Sequence, residues 1–540
     1  MTKLGLMTGS VIILLIAGGI FIMNYMKNNE GKLAVINGTD GINNKEVLSE
    51  TAGMNGDTDS GERDTETNAA SETSNNSSSN PKTPVDRETP VDVQPAGGTE
   101  LNFDGLTAAK LTAGNPIITS IFTADPSAHV WEDGRIYIYA SHDMDPAVGC
   151  DLMDRYHVFS SEDMVNWVDE GEILRASDVS WGRPEGGFMW APDCAYRDGI
   201  YYFYYPHPSG SDWRTTWKIG VATSTKPASG FKDQGYIEGL GGDAMIDPCV
   251  FIDDDGRAFM YYGGGAKCQG GEMNGDLMSM KTEMKNMEGL EDFHEATWVF
   301  KRNGIYYLTY SDNNPGANNM RYATSDNPLG PWTYQGIFLK PTGCDTSHGS
   351  VVEYKGQWYL FYHNQKISGQ GNLRSVCIDE LYFNEDGTIQ LVKQTGEGVK
   401  AVGDPPAPNP TLKVYEAASA VLEGGATLGI KPDQPEDNVI NNLHIQGAYC
   451  EFRGVDGGAG GRSVITVHYA NGAQLSKLNL TVNGEDYSLL NAVSTWGWQK
   501  YTGTAVFTLR LNPGENNTIR LTGGNGGINL DHITVEQLED

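Results

Sequence analysis

Between Asp125 and Asp143 the chain reads DPSAHVWEDGRIYIYASHD, which is an apolar strand-like run, a turn that ends in Gly, and an aromatic-rich strand. The period-two alternation of RIYIYA is typical of a strand, and Gly tolerates the positive φ of a tight hairpin. The same form returns further along the chain as WAPDCAYRDGIYYFYYP from Trp190, DPCVFIDDDGRAFMYYGGG from Asp247, EATWVFKRNGIYYLTYSDN from Glu295 and HGSVVEYKGQWYLFYHNQ from His348. A repeat of roughly fifty residues, each supplying one small antiparallel sheet, predicts a five-bladed β-propeller.

The copies share one position that carries chemistry. Counting back nine residues from the turn Gly reaches Asp125, Trp190, Asp247 and Glu295 in the first four copies, and Ser347, beside His348, in the fifth. Because the inner strands of a propeller line one central channel, equivalent positions in different blades converge on its axis. Two Asp, a Glu and a His are therefore predicted to meet there as acid/base machinery.

The charge balance of the chain limits the classes of partner that it can bind. The 38 basic and 70 acidic residues give a net charge of −32, which argues against nucleic acid and anionic membrane surfaces as partners. The seven cysteines are scattered with no CxxC, so we expect buried, inert thiols, with one disulfide within the propeller left open.

The amino terminus predicts export. From Leu6 to Met26 the chain is almost uninterruptedly apolar, about the ~20 residues that a membrane-crossing helix needs. A cleavable signal would have a shorter apolar core and an A-x-A-like exit. We therefore expect residues 1–27 to be an uncleaved signal anchor, with a cleaved secretion signal as the alternative; both place the rest of the chain outside the cell. Residues 28–110 are rich in Asn, Ser, Thr and acidic residues, which predicts a disordered tether.

The remaining chain is predicted to be all-β. The propeller extends over residues 111–403, and the Pro-rich stretch 404–410 is a stiff joint. Residues 411–540 contain further short strands with Gly and Asn turns, which favours a β-sandwich of the jelly-roll type.

Three carboxylates on one axis suit the hydrolysis of a glycosidic bond. Inversion needs one carboxylate as a base for water and one protonated carboxyl as an acid, roughly 6.5–9.5 Å apart. A third carboxylate nearby can raise the pKa of the acid, because like charges disfavour its ionisation. The spacing alone does not assign these roles.

Short motifs resemble the glycoside hydrolases of family 43: TADPS at residues 123–127, IDP at 246–248, HEA at 294–296 and HGS at 348–350. Members of that family are inverting five-bladed propellers that act on plant polysaccharides containing arabinose and xylose. The resemblance implies Asp125 as general base, Glu295 as general acid, and Asp247 as the residue that orients Glu295 and tunes its pKa. It also matches His348 to a position near the axis that coordinates calcium in many members.

Other side chains are candidates for binding the sugar. Trp190 and Phe188, with Trp131 and Trp298, are aromatic candidates for stacking on a sugar ring. Arg374 resembles a family arginine that reaches the active site from the last blade. His142 and Asp143 follow the inner part of the first blade and are candidates for lining a subsite.

The carboxyl-terminal stretch resembles a family 6 carbohydrate-binding module, through YEAA at 415–418, GAYCEF at 447–452, GWQ at 497–499 and NLDHI at 529–533. That resemblance implies a β-sandwich with a structural calcium, for which Glu416 and Asp531 are the matching ligands. It implies sugar binding by Trp496 or Trp498 together with Asn529. No organic cofactor is expected.

The leading hypothesis is an extracellular, inverting exo-glycosidase that removes terminal α-L-arabinofuranosyl side chains from arabinoxylan. A β-xylosidase acting on xylo-oligosaccharides is the alternative within the family, and a non-catalytic surface sugar-binding protein is the alternative from another class. Buried like charges are costly without a function, which favours the enzyme. We expect a monomer whose partner is plant cell-wall polysaccharide and which meets the membrane only through its amino-terminal helix.

Overall fold

The computed structural model describes residues 114–146, 151–241, 244–312, 314, 317–403, 412–432 and 434–538. It also assigns strands at Val11–Ile16, Gly19–Asn24 and Ile36–Asn37. The first two of these pair antiparallel, in the apolar stretch for which the sequence predicted a transmembrane helix. The other residues of that stretch, nearly all of the predicted tether and the whole Pro-rich joint at 404–410 lie outside the described residues. Within the described part of the chain, no helix is long and apolar enough to cross a membrane.

Residues 122–381 form five antiparallel sheets, which we call blades I to V. Their strands are, in blade I, Phe122–Val130, Ile136–Asp143, Arg155–Ser161 and Val168–Arg175; in blade II, Asp193–Arg197, Ile200–Pro208, Trp217–Ser224 and Lys232–Tyr236; in blade III, Cys249–Ile252, Ala258–Gly264, Lys267–Glu272 and Lys285–Asn286; in blade IV, Phe293–Arg302, Ile305–Asp312, Met320–Ser325 and Thr333–Leu339; and in blade V, Gly349–Tyr354, Gln357–Asn364 and Ser375–Leu381. Apart from the strands, the described residues contain two 3₁₀ turns, Ala176–Asp178 and Ala417–Ser419.

Buried tyrosines join neighbouring blades. Tyr139, Tyr204 and Tyr261 each stand five residues after the turn Gly and are fully buried. A buried phenol needs a hydrogen-bond partner, and each finds a carbonyl in the next blade. Tyr139 donates to the carbonyl of Pro227 at 2.6 Å, and Tyr261 donates to that of Pro328 at 2.5 Å. The aromatic periodicity of the repeats therefore encodes the packing between blades as well as the strands.

The blades close into a ring. The first strands of successive blades are neighbours, and that of blade V lies beside that of blade I. The chain that precedes blade I pairs with the third strand of blade V, since the Ile117 N–H donates to the Val376 carbonyl at 2.8 Å. At the start of blade I, the Thr123 N–H donates to the carbonyl of Arg374, the residue before that third strand, at 2.9 Å. This pairing protects the edge of the three-stranded blade V and confirms the closed arrangement that the repeat predicted.

Residues 412–538 form two antiparallel sheets around one core, in agreement with the predicted β-sandwich. One sheet consists of Lys413–Glu416, Thr427–Lys431, Gln434–Asn441, Gly461–Ala470, Gly503–Leu511 and Asn529–Gln537; the other consists of Val421–Glu423, Tyr449–Val455, Leu475–Val482, Glu485–Val493 and Asn517–Asn525.

The sandwich is fixed to blade I by a buried ion pair. Arg462 donates from Nη2 to Glu170 Oε2 at 3.0 Å and from Nη1 to the Glu170 carbonyl at 3.2 Å. Both side chains are largely buried, and Glu170 Oε1 also lies 3.8 Å from Arg135 Nη2, so the contact belongs to a small network of charges.

The six cysteines among the described residues are all buried and free, as expected for inert thiols: Cys194, Cys249, Cys268, Cys344, Cys377 and Cys450.

Candidate active site

Local irregularities turn the three predicted carboxylates out of the regular strand pattern. The register of blade I shifts around Asp125, which has a φ of 51°. The register of blade IV shifts on both sides of Glu295, and the next residue, Ala296, has a φ of 68°. Asp247 has a φ of 54° just before blade III begins. Left-handed backbone at residues other than Gly is uncommon and is concentrated at functional sites.

Asp125 is held by an arginine from blade V. Arg374 donates from Nη1 to Asp125 Oδ1 at 2.8 Å and from Nη2 to Oδ2 at 3.2 Å. Ser141 donates to Oδ2 at 2.9 Å. Asp143 fixes the guanidinium from its other side, since Arg374 Nε and Nη2 lie 2.9 and 2.8 Å from its two oxygens. The structure thus brings Asp125, Arg374 and Asp143 together. Asp143 contacts the arginine and positions its guanidinium against Asp125.

The backbone of Asp125 is positioned by a histidine that the sequence analysis did not single out. Its N–H donates to Nδ1 of His363 at 3.1 Å, so that nitrogen is an acceptor. Nε2 then carries the proton and donates it to the Thr346 carbonyl at 2.9 Å. Burial lowers the pKa of His363 to about 4, in keeping with this neutral ring.

The same surroundings set the charge of Asp125. Burial by itself raises the pKa of a carboxyl, but the opposing attraction of the Arg374 guanidinium, with a smaller contribution from the Ser141 hydrogen bond, leaves the pKa of Asp125 below 3.8. Asp125 is therefore a carboxylate near neutral pH.

Asp247 holds the segment that carries Glu295. Its Oδ2 accepts the Ala296 N–H at 2.7 Å, and its carbonyl accepts a short hydrogen bond from Thr297 Oγ1. These bonds hold Ala296 and Thr297, the two residues that follow Glu295, and so fix the direction of the Glu295 side chain.

The pKa shifts of Glu295 and Asp247 are opposite to that of Asp125. Burial raises the pKa of Glu295 above 4.5, and the charge of Asp125 adds to the rise. Burial raises the pKa of Asp247 well above 3.8, with further contributions from the charges of Glu295 and Asp125. One channel therefore contains an ionised carboxylate beside carboxyls that retain protons to higher pH, which is the division of states required for acid/base catalysis.

His348 lies among these carboxyls. Its Nδ1 is 3.6 Å from Asp247 Oδ2 and 3.9 Å from Asp125 Oδ1, and burial lowers its pKa to about 4. No group of three or more His, Cys, Asp and Glu in the described part of the chain is arranged to hold a metal ion. Calcium at His348 stays a prediction from the sequence resemblance.

The predicted aromatic platform is a cluster that packs on Trp217 of blade II. Trp190 is half-buried and packs on Trp217, with ring centroids 4.4 Å apart. Phe188 is 2% exposed and is enclosed between Trp213 and the guanidinium of Arg183, at 5.1 Å from each. Part of the Trp190 ring is therefore accessible to a sugar, whereas Phe188 is packed inside the cluster.

His142 is buried against His157, with ring centroids 4.9 Å apart and the rings perpendicular. Burial lowers the pKa of His142 well below 6.5, and the neighbouring His157 lowers it further. His142 is thus a neutral ring one residue from Asp143 and the arginine that it holds.

Ser141, Thr346 and His363 complete the site and were missed from the sequence. A signal for His363 was present: the aromatic-rich strands of blades I, IV and V end in the polar runs SHD, YSD and YHN. Those ends lie beside the starts of the inner strands, because the two strands of each hairpin are antiparallel.

In the sandwich, the predicted sugar contacts lie together. Trp496 is 87% exposed with a φ of 62°, and Trp498 is 47% exposed. Asn529 Nδ2 donates to the Trp498 carbonyl at 2.6 Å. The predicted calcium ligands are arranged differently: Asp531 Oδ1 is engaged by Lys431 Nζ at 2.8 Å, and Glu416 is exposed. Lys431 thus neutralises one of the two predicted ligands, and calcium at Glu416 and Asp531 stays a prediction from the sequence.

Comparison with known proteins shows the family of this chain. Residues 113–389 match the model of Glycosyl hydrolases family 43. A Xylosidase/arabinosidase 43A of Humicola insolens is 35% identical over 52% of this chain and 99% of its own length. An Arabinoxylan arabinofuranohydrolase of Bacillus subtilis is 30% identical over 72% of this chain and 85% of its own length. A solved β-xylosidase/α-arabinofuranosidase from a compost microbial metagenome is 35% identical over 52% of this chain and 97% of its own, with a TM-score of 0.47.

The comparison corrects the assignment of the sandwich. Residues 428–535 match the model of Carbohydrate binding module (family 35), so the prediction of family 6 is wrong. The family 6 prediction rested on four short motifs, whereas the family 35 model matches a continuous stretch of more than one hundred residues. A binding module beside a hydrolase domain indicates a polysaccharide substrate. The chain belongs to glycosyl hydrolase family 43 and is a glycoside hydrolase of the xylosidase/arabinosidase type.

Proposed function

We propose that this protein is an inverting exo-glycosidase that removes terminal α-L-arabinofuranosyl side chains from arabinoxylan. The observation that carries the proposal is the opposite displacement of the pKa values of Asp125 and Glu295 within one channel. An inverting glycosidase needs those two states at the same time.

In the proposed reaction Asp125 is the base. A carboxylate accepts about four hydrogen bonds, and Arg374 and Ser141 occupy one position on Oδ1 and two on Oδ2. The remaining position on Oδ1 receives the proton of a water molecule as the water oxygen attacks the anomeric carbon.

Glu295 is the acid. Its carboxyl gives its proton to the glycosidic oxygen as the bond from the anomeric carbon to that oxygen breaks. Asp247 keeps Glu295 in place through the Ala296 N–H, and burial keeps the pKa of Glu295 high. Proton exchange with water afterwards restores both groups.

The preference for arabinose is supported by the extent of one match. The Bacillus subtilis arabinoxylan arabinofuranohydrolase aligns over 72% of this chain, whereas the Humicola insolens xylosidase/arabinosidase aligns over 52%. The β-xylosidase alternative is supported by the higher identity of the latter, 35% against 30%.

Chromatography of the monosaccharides that the full chain releases from arabinoxylan tests the proposal. Free arabinose without xylose supports the arabinofuranosidase. Xylose alone would replace it by a β-xylosidase, and no product from arabinoxylan, xylo-oligosaccharides or aryl glycosides would overturn both. Export, tethering by the amino-terminal stretch, a monomeric state and bound calcium remain predictions from the sequence.

A further inference from the structure

The sandwich has one aromatic side chain that folding alone does not explain. Trp496 is 87% exposed, and its φ of 62° is unusual for a bulky residue. An indole left in water forfeits the stabilisation that burial would give it. Such a conformation persists where the surroundings impose it and where function uses it.

The loop that carries Trp496, residues 494–498, is tied down on both sides of the indole. The Thr495 N–H donates to the Asn471 carbonyl at 2.8 Å, and Thr495 Oγ1 bonds to the Gly497 carbonyl at 3.0 Å. The Trp496 N–H donates to Ser494 Oγ at 3.1 Å. The backbone is thus held in one shape while the ring projects outward, which lowers the entropic cost of binding a ligand.

The hairpin before this loop, Leu475–Val482 with Glu485–Val493, lies on blade I. Lys477 and Asn491 stand opposite each other in it. Lys477 forms an ion pair with Asp145 and lies 5.6 Å from the ring centre of Phe122. The Asn491 N–H donates to the Ser120 carbonyl at 3.0 Å.

These contacts lie at the end of blade I that carries the catalytic groups. Phe122 precedes Asp125 by three residues in the inner strand, and Asp145 follows Asp143, the partner of Arg374, by two. The sandwich therefore touches the two chain segments that border the general base.

The second strand of this hairpin runs toward the inner strand of blade I, so the loop 494–498 that follows it lies on that side. Tyr487 lies near Val168–Arg175, the last strand of blade I, because its hydroxyl donates to the carbonyl of Thr508 and the strand that carries Thr508 packs against Val168–Arg175. From Tyr487 to Asn491 the chain passes from that strand to the segment that leads into the inner strand. Trp496 is five residues further on, within about 17 Å of extended chain.

We propose that Trp496 is a specificity-determining residue of the catalytic site, stacking on the main chain of the pentose polymer whose terminal sugar enters the propeller channel. The inference rests on the proposed function. The sandwich then acts as one wall of an extended substrate site, held in place by Lys477 and Asn491. An aromatic face against the apolar face of a sugar ring is the recognition chemistry that an exposed Trp offers.

The test compares kcat/KM of the full-length wild type and Trp496→Ala on an aryl α-L-arabinofuranoside and on arabinosylated xylo-oligosaccharides of increasing length. In the wild type, kcat/KM should rise with length to a plateau. Trp496→Ala should lower the ratio of kcat/KM on long oligosaccharides to that on the aryl glycoside by about 2- to 12-fold, mainly through KM.

Two further variants sharpen the test. Lys477→Ala should reduce the same ratio by a smaller factor, because it loosens the hairpin but leaves the indole. Tyr382→Ala, which removes an aromatic ring 49% exposed just after the last strand of blade V, is the matched control and should leave the ratio unchanged.

If Trp496→Ala lowered kcat/KM equally on the aryl glycoside and on the long oligosaccharides, Trp496 would have only a structural role, and the inference would be overturned. Unchanged oligosaccharide kinetics with weaker retention on insoluble polymer would also overturn it, in favour of a separate binding site on the module. If the wild type hydrolyses only an aryl β-xyloside, the proposed function fails, and the length dependence on unbranched xylo-oligosaccharides then tests Trp496.

Discussion

Arg374 of blade V bonds to both carboxylate oxygens of Asp125 of blade I, at 2.8 and 3.2 Å. The pair joins the last blade to the first at the catalytic end of the channel. It therefore couples closure of the ring to the ionisation of the proposed base, since the charge that keeps Asp125 ionised arrives only when blade V is in place.

Replacement of either catalytic group should strongly reduce turnover of the polysaccharide and leave the fold intact. Asp125→Asn and Glu295→Gln should each lower kcat on arabinoxylan by about 100- to 10,000-fold, because each removes one proton transfer. An activated aryl glycoside separates the two roles, since its leaving group needs little protonation: Glu295→Gln should recover much of its rate there, and Asp125→Asn should not. Circular dichroism and thermal melting check the fold. A near-normal rate of either variant on the polysaccharide would contradict the assignment.

The pH dependence of kcat/KM should be bell-shaped. Activity requires Asp125 to be ionised and Glu295 to be protonated. The acid limb should lie below pH 3.8, because the pKa of Asp125 is lowered, and the alkaline limb should lie above pH 4.5, because that of Glu295 is raised. Glu295→Gln should lose the alkaline limb on an activated aryl glycoside. An alkaline limb that survives this substitution would show that another group is the acid.

Loss of the arginine should damage both stability and ionisation. Arg374→Met leaves Asp125 and Asp143 without their cation, and we expect a loss of about 3–5 kcal/mol in the free energy of unfolding. The acid limb of the pH profile should also move to higher pH. Arg321→Met is a matched control, because Arg321 pairs with the buried Asp312 at 3.0 Å in blade IV; it should lower stability and leave the acid limb unchanged. An unshifted acid limb in Arg374→Met would contradict the coupling.

The histidine beside His142 should make stability depend on pH. His157 Nδ1 lies 3.5 Å from Asp169 Oδ1, and Nε2 lies 3.7 Å from Glu172 Oε1. Burial opposes protonation of His157, but these carboxylates outweigh it and raise its pKa to about 9. A group whose pKa is raised by folding contributes its full stabilisation at any pH below its pKa in the unfolded chain, which is about 6.5 for His. This contribution should be lost as the pH rises from about 6.5 to about 9.

The difference in melting temperature between the wild type and His157→Gln, measured from pH 6 to pH 10, isolates that contribution. It should be largest at pH 6 and should shrink toward pH 9. A difference that is constant over this range would mean that His157 is not protonated in the folded protein.

Much of the site could be predicted because the repeat is periodic. Asp125, Asp247 and Glu295 stand at equivalent positions relative to their turn Gly, and any ring of such repeats brings equivalent positions together. His363 could have been found from the polar ends of the aromatic strands. Its role could not, because the Asp125 N–H reaches it only across 238 residues of sequence and the join between the last blade and the first.

The sequence by itself determined the five hairpins, the sandwich and the three carboxylates on one axis, because alternation, turn chemistry and repeat spacing are local properties. The tertiary structure decided the protonation states, since burial and the Arg374 charge arise only on closure of the ring. It also decided what the charged residues of the sandwich do: Lys431 neutralises Asp531, and Lys477 and Arg462 fasten the sandwich to blade I. These contacts depend on which surfaces meet, and no local pattern specifies that.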